Sequence, residues 1–176
     1  MWIILAILVV AALITFLIVA AYKPNTFRLQ RSLTIKAAPE TIYAHIDDFH
    51  KWSEWSPWDK LDPDMKRIYG GAASGTGATY AWSGNGKAGT GSMTIKEAEP
   101  ASRLRIALDF EKPFKASNTA EFLFQAQGDS TIVSWAMFGP SPFMSKVMGT
   151  IFNMDALVGK DFEKGLQSLK ALSEAA

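Results

Sequence analysis

The sequence predicts an α+β fold: a curved antiparallel sheet wrapped on a long C-terminal helix, preceded by one N-terminal transmembrane helix. Three observations carry this prediction. Residues 2–22, WIILAILVVAALITFLIVAAY, contain no charge. Arg103 to Phe110 alternates strictly, with Leu104, Ile106, Leu108 and Phe110 on one side and Arg103, Arg105 and Asp109 on the other, the period of a strand with one dry and one wet face. From Met144 onward, Val147, Met148, Ile151, Met154, Val158, Phe162, Leu166, Leu169 and Leu172 recur at spacings of three and four, as an amphipathic helix requires.

The N-terminal run comes first. At about 1.5 Å per residue it is roughly 30 Å long as a helix, the thickness of a bilayer's hydrocarbon. It is apolar on every side, and Trp2 and Tyr22 stand at its ends, where amphipathic rings favour the headgroup level. A cleaved signal is the rival reading: Val19 and Ala21 are small enough to precede a cut, but no Lys or Arg precedes the apolar run. A buried core helix is the other rival, and a domain this small has little room for such a rod. The anchor is assigned to 1–23 and a short link to 24–26. Lys23, Arg28, Arg31 and Lys36 follow closely, so the positive-inside rule puts the C-terminal domain on the cytoplasmic side.

The folded domain is expected over 27–173. Phe27 to Ile35 reads as a strand in which Arg31 alone breaks an apolar parity. Pro39-Glu40-Thr41 opens a short helix, with Ile42, Tyr43 and Ile46 on its apolar side. FHKWSEWSPW (49–58) is a dense aromatic insert interrupted by proline. Eight of the 13 glycines then lie between Gly70 and Gly91. Tyr80 and Trp82 share a parity, and Asn85-Gly86 signals a hairpin in which both residues tolerate positive φ. Gly91 to Ala98, Arg103 to Phe110, Lys115 to Gln125 and Ser130 to Phe138 complete a meander of five or six antiparallel strands. One helix is expected from about Ser141 to Ser173. Gly149, Gly159 and Gly165 within it each cost about 1 kcal/mol relative to Ala, so they mark close approaches to the sheet or a kink.

Composition excludes several classes of function. The chain has 176 residues, 17 acidic and 18 basic side chains for a net charge of +1, and no cysteine. Disulfides, thiolate nucleophiles, iron–sulfur clusters and cysteine-bound zinc are excluded. Near-neutral charge argues against nucleic-acid binding, and Lys160 and Lys164 are interleaved with Asp161 and Glu163. Gly84-Asn85-Gly86-Lys87-Ala88-Gly89 matches G-x-G-x-x-G formally, but a strand follows where a dinucleotide site needs a helix. His45, Asp48 and His50 offer metal-ligand chemistry without the convergence a site needs. No metal or cofactor is assigned.

The segments IKAAPETIYAHI (35–46), WSEWSPW (52–58) with LDPD (61–64), TYAWSGNGKAGTGSM (79–93), STIVSWAMFG (130–139) and MDALVGKDFEKGLQSLK (154–170) resemble the START/Bet v 1-like superfamily. They are most similar to its membrane-anchored SRPBCC branch, labelled polyketide cyclase/dehydrase. The resemblance covers nearly all of 27–172. It implies the helix-grip fold and a capacity to hold an apolar ligand between sheet and long helix.

The candidate cavity residues are Trp55, Trp58, Tyr80, Trp82, Met93, Phe110, Phe122, Trp135, Met154, Asp155 and Phe162. Asp155 lies three and four positions from apolar members of the helical stripe, so it either faces a ligand or anchors the helix to a strand. The leading reading is binding, sequestration or transfer of an apolar or lipid-like small molecule near a membrane. The second is a cyclase/dehydratase-type enzyme, which needs at least two ionisable groups on the cavity wall. The third is a non-catalytic structural or stress-related interaction domain with a filled core. A cavity of at least about 300 Å³, the size of ordinary ligand pockets, with Asp155 on its wall separates these readings.

Overall fold

The computed structural model describes residues 2–175 and, at Met154, the backbone alone. Its α1 (Trp2–Ala21) leads through Pro24 into β1 (Thr26–Ile35). Two short helices follow, α2 (Pro39–Tyr43) and α3 (Trp52–Trp55), with a 3-10 turn on either side of α3. The meander is β2 (Lys66–Gly71), β3 (Ala78–Ser83), β4 (Thr90–Glu99), β5 (Arg103–Lys112), β6 (Ala116–Gln127) and β7 (Ser130–Pro140). The strands form one antiparallel sheet in the order β1-β7-β6-β5-β4-β3-β2. This is the helix-grip arrangement.

The expected single C-terminal helix is two helices, α4 (Phe143–Ile151) and α5 (Met154–Glu174). Phe152 is extended (φ −113°, ψ 137°), and the Asn153 side chain accepts the Ala156 N–H at 3.0 Å. That Asn cap starts a new helix in spite of the continuous apolar spacing. The hairpin at Asn85-Gly86 is also longer than a two-residue turn. It occupies residues 84–89, its positive φ falls at Gly89, and the Asn85 side chain accepts the N–H groups of Lys87 and Ala88.

α5 lies across the sheet with Phe162, Leu166 and Leu169 buried against it. Two of its glycines are close approaches. A Cβ at Gly165 would stand 2.7 Å from the Trp135 ring, and one at Gly159 would collide with the Arg31 guanidinium. Arg31, the odd residue of β1, therefore reaches through the Gly159 gap. It donates to both Asp155 carboxylate oxygens (2.9 and 3.1 Å) and to Glu163 (2.8 Å).

The far half of the sheet is filled. Leu104, Phe122, Val133 and Ile35 are buried beneath Ile42 and Tyr43 of α2, Ile46, and Trp52 and Trp55 of α3. The indole N–H groups of Trp52 and Trp55 donate to the Ile46 and His45 carbonyls at 2.8 and 3.0 Å, which pins the aromatic insert in place.

α1 stands apart from this core. Only Ala20 of it is buried, and large apolar side chains are exposed along its length. Its end is tied to α4: Lys23 Nζ donates to the Gly149 carbonyl (2.6 Å), and Lys146 Nζ donates to Asn25 Oδ1 (2.7 Å).

Candidate functional site

At the end of the sheet where α1 leaves, the space between sheet and α5 is not filled. A partly enclosed cavity of about 190 Å³ lies there. The sheet contributes Tyr80 and Trp82 (β3), Met93 (β4), Leu108 and Phe110 (β5), Ala120 (β6), and Trp135 and Met137 (β7). α5 closes the other side with Val158 and Phe162, and the aromatic insert adds Trp52 and Trp58. The side chains alternate along each strand, so those on one face of neighbouring strands meet in one wall.

Aromatic packing sets the shape. Trp135 stacks on Phe162 (4.1 Å between centroids, 11° between planes) and on Phe122 (4.9 Å, 25°). Trp58 meets both Trp135 and Phe162 edge-on, at 5.4 and 5.7 Å. Trp82 stacks on Tyr80 and meets Phe110 edge-on, and its indole N–H donates to the Ala88 carbonyl at 3.0 Å. The Trp135 Nε1 is buried with no hydrogen-bond partner.

The polar side chains of the wall are Ser56, Asp59 and Tyr80, the last two in contact. Asp59 is buried, and Arg67 clamps it by donating through Nε to its carboxylate (2.7 Å) and through Nη2 to its carbonyl (2.8 Å). The Tyr80 hydroxyl donates to the same carboxylate at 3.3 Å. Burial first, then the adjacent Asp59 charge, pushes the Tyr80 hydroxyl well above its ordinary pKa. Asp59 and Tyr80 are the two ionisable side chains on the wall, and each is engaged by the other.

Of the residues expected at the cavity, Trp58, Tyr80, Trp82, Met93, Phe110, Trp135 and Phe162 lie on its wall. Trp55 and Phe122 are fully buried in the core behind it. The Met154 side chain lies outside the described residues. Asp155 is elsewhere: its side chain is 64 % exposed and faces Arg31, away from the cavity. The hydrogen bonds from Arg31 hold its pKa below the ordinary carboxylate range. Asp155 thus anchors α5 to β1. The cavity is also smaller than the size of about 300 Å³ that would separate the readings, because Trp58, Trp135 and Phe162 close into it from three elements.

Asp59, Ser56, Met65, Ala88 and Ala120 were not legible as wall residues. The only available sign for Asp59 was an acid placed between prolines and tryptophans, eight residues before an arginine. Asp62, from the LDPD segment, accepts the Asn85 N–H at 2.7 Å and so fixes the 84–89 hairpin. His50 pairs with Asp48 (2.9 Å) and stacks on Tyr69. No group of three His, Cys, Asp or Glu able to hold a metal ion occurs among the described residues.

The profile of one protein family, described as polyketide cyclase/dehydrase and lipid transport, matches residues 26–174. The chain belongs to this polyketide cyclase/dehydrase family. No curated protein sequence matches it. Among solved structures, this family member resembles a protein from Chromobacterium violaceum (17% identity, 86% of this chain and 99% of that one, TM-score 0.59). It also resembles the Aha1 dimer from Colwellia psychrerythraea (17%, 84% and 96%, TM-score 0.56). A third is the di-domain ARO/CYC protein StfQ of the steffimycin biosynthetic pathway (11%, 85% and 51%, TM-score 0.66), of which the chain spans about half. At these identities the likeness is one of fold. Family and fold together describe a ligand-binding, Bet v 1-like domain.

Proposed function

We propose that this polyketide cyclase/dehydrase family member binds an apolar small molecule between sheet and α5 while α1 (within residues 1–23) holds the domain (27–173) at a membrane through the link at 24–26. The observation that carries the reading is the cavity itself. At about 190 Å³ it is somewhat larger than the roughly 150 Å³ apolar void known to take up benzene. It therefore suits a single ring or a short acyl segment, with any longer part of the ligand at the mouth. Burial of such a group contributes about 25 cal/mol per Å² of apolar surface, less the costs of association. Trp58, Tyr80, Trp82, Met93, Phe110, Trp135 and Phe162 are the proposed contacts.

Binding is favoured over acid–base catalysis because Asp59 and Tyr80 are already committed to Arg67 and to each other. Membrane attachment is supported by α1, 20 residues long, with an 18-residue stretch of mean hydropathy 3.3 and large apolar side chains left uncovered. The cytoplasmic side is proposed on the positive-inside rule, although Arg28, Arg31 and Lys36 also pair with Glu121, Asp155 and Asp129. Protease protection in intact against permeabilised cells decides the side.

Fluorine NMR of fluorobenzene with the full chain in lipid nanodiscs tests the binding reading. A bound resonance is expected, and Ala120→Leu, which fills the void, removes it. No bound resonance, or one that survives Ala120→Leu, ends the proposal.

A further inference from the structure

The end of the sheet that carries the cavity also carries apolar side chains that the folded chain leaves uncovered. On α4, Phe143, Met144, Met148 and Ile151 are exposed, and Phe152 follows them. At about 100° per residue, the four helical positions share an arc of about 140°. This face is not free to turn. Lys146, buried on the other side of α4, donates to Asn25 Oδ1 and to the Ala21 carbonyl (3.4 Å), while Lys23 donates to the Gly149 carbonyl. The apolar face is thereby held beside the last turn of α1.

A second element reaches the same end. The ladder pairs Thr26 with Pro140, Phe138 with Thr119, and Ala116 with Phe110. The corner between β5 and β6 therefore lies in the rows nearest the exit of α1. Phe114 stands there, 71 % exposed, between the exposed Lys112 and Lys115, with Glu111 as the neighbouring acid.

We infer that α4 and the Phe114 corner form a second membrane contact, which seats the cavity end of the domain on a phospholipid bilayer. The inference rests on the reading of α1 as a membrane span. If α1 crosses the bilayer, its end near Ala21 marks the headgroup level, and hydrogen bonds hold α4 at that depth. An amphipathic helix there buries its apolar face in the boundary between headgroups and acyl chains. Lys112 and Lys115 flanking Phe114 match anionic headgroups, which attract basic side chains near the bilayer surface. The cavity positions Phe110 and Trp82 lie in the Ala116 row, Leu108 lies in the Asn118 row between the named ones, and Met137 lies one row further in. An apolar guest then passes between bilayer and cavity with little exposure to water.

The absence of cysteine makes single-site labelling direct. Leu8→Cys (on α1), Met144→Cys, Phe114→Cys and Gln125→Cys (exposed at the opposite end) are each made in the full chain, labelled with an environment-sensitive fluorophore, and placed in vesicles of phosphatidylcholine and phosphatidylglycerol containing spin-labelled lipid. The expected result is blue-shifted emission, largely quenched, at positions 8, 144 and 114, and neither change at 125. Quenching at 8 without quenching at 144 and 114 overturns the inference and leaves the anchor standing. A blue shift at 144 without lipid quenching means that a second copy of the chain covers α4, and also overturns it. Equal quenching at 125 means unspecific adhesion, with the same consequence. No quenching at 8 removes the anchor reading and the inference together.

Discussion

Leu104, Phe122 and Val133 at one end of the sheet and Phe110, Met137 and Trp82 at the other face the same helix with opposite results. The first three are fully buried, and the second three border empty space. Residue type does not explain the difference, because both ends are aliphatic and aromatic. Coverage does. α2, Ile46 and α3 fold over the far half and insert Ile42, Trp52 and Trp55. Over the near half α5 has only begun, and α4 turns away to meet α1. The cavity is a place that α5 and the aromatic insert cover without filling, and its wall is apolar apart from Ser56, Asp59 and Tyr80.

The largest test of this contrast removes a ring from each half. Trp55→Ala, in the filled half, is expected to cost about 3–5 kcal/mol, and Trp82→Ala, on the cavity wall, about half of that or less. Chemical denaturation measures both, and equal losses would mean that the two halves are packed alike. Adding volume reverses the ranking of effects. Leu104→Phe has no room and is expected to cost about 1–3 kcal/mol, while Ala120→Leu changes stability by less than about 1 kcal/mol and abolishes fluorobenzene binding. Gly159→Ala pushes the mobile end of the Arg31 side chain out of its gap; the exposed ion pairs so weakened contribute little and Ala gains about 1 kcal/mol over Gly in a helix, so thermal melting should show a net change below about 1 kcal/mol, and a loss of several would mean that α5 meets rigid structure at Gly159.

Titration gives smaller effects. Tyr80 has a raised pKa in the fold, from burial and then from Asp59. Its stabilising preference for the protonated form is complete below the unfolded tyrosine value of about 10 and is lost as pH rises through the folded one. Unfolding curves between about pH 9 and 11 should be flatter for Tyr80→Phe than for the parent. Asp155 runs the other way. Arg31 depresses its pKa, so its contribution is complete above about pH 4 and disappears as pH falls through the lower folded value. Asp155→Asn should lower stability slightly above about pH 4, with the gap to the parent closing as pH falls, and leave fluorobenzene binding untouched; a binding defect would return this residue to the cavity.

Much of the fold is written locally. Leu104, Ile106 and Leu108 announce their strand by period alone, and Gly159 and Gly165 mark the two close approaches that α5 makes. Other features depend on partners distant in sequence. The spacing of three and four runs unbroken through Phe152, so the helix break rests on one side-chain cap at Asn153. The same spacing makes Met144, Met148 and Ile151 look like core, because a period identifies an apolar face without saying what covers it. Asp155 sits beside the stripe by angle, and its pairing with Arg31 on β1 places it outside. Asp59 is buried because Arg67 folds back over it, and neither residue type predicts that alone.

Trp135 stands on the border between the two halves, with Phe122 and Trp55 on one side and Phe162 and Trp58 on the other. Five rings in such close array couple their electronic transitions, so the near-ultraviolet circular dichroism of the chain is a signature of their relative tilt. A guest that nudges Trp58 or Phe162 rotates that array, and the protein carries its own spectroscopic gauge of occupancy.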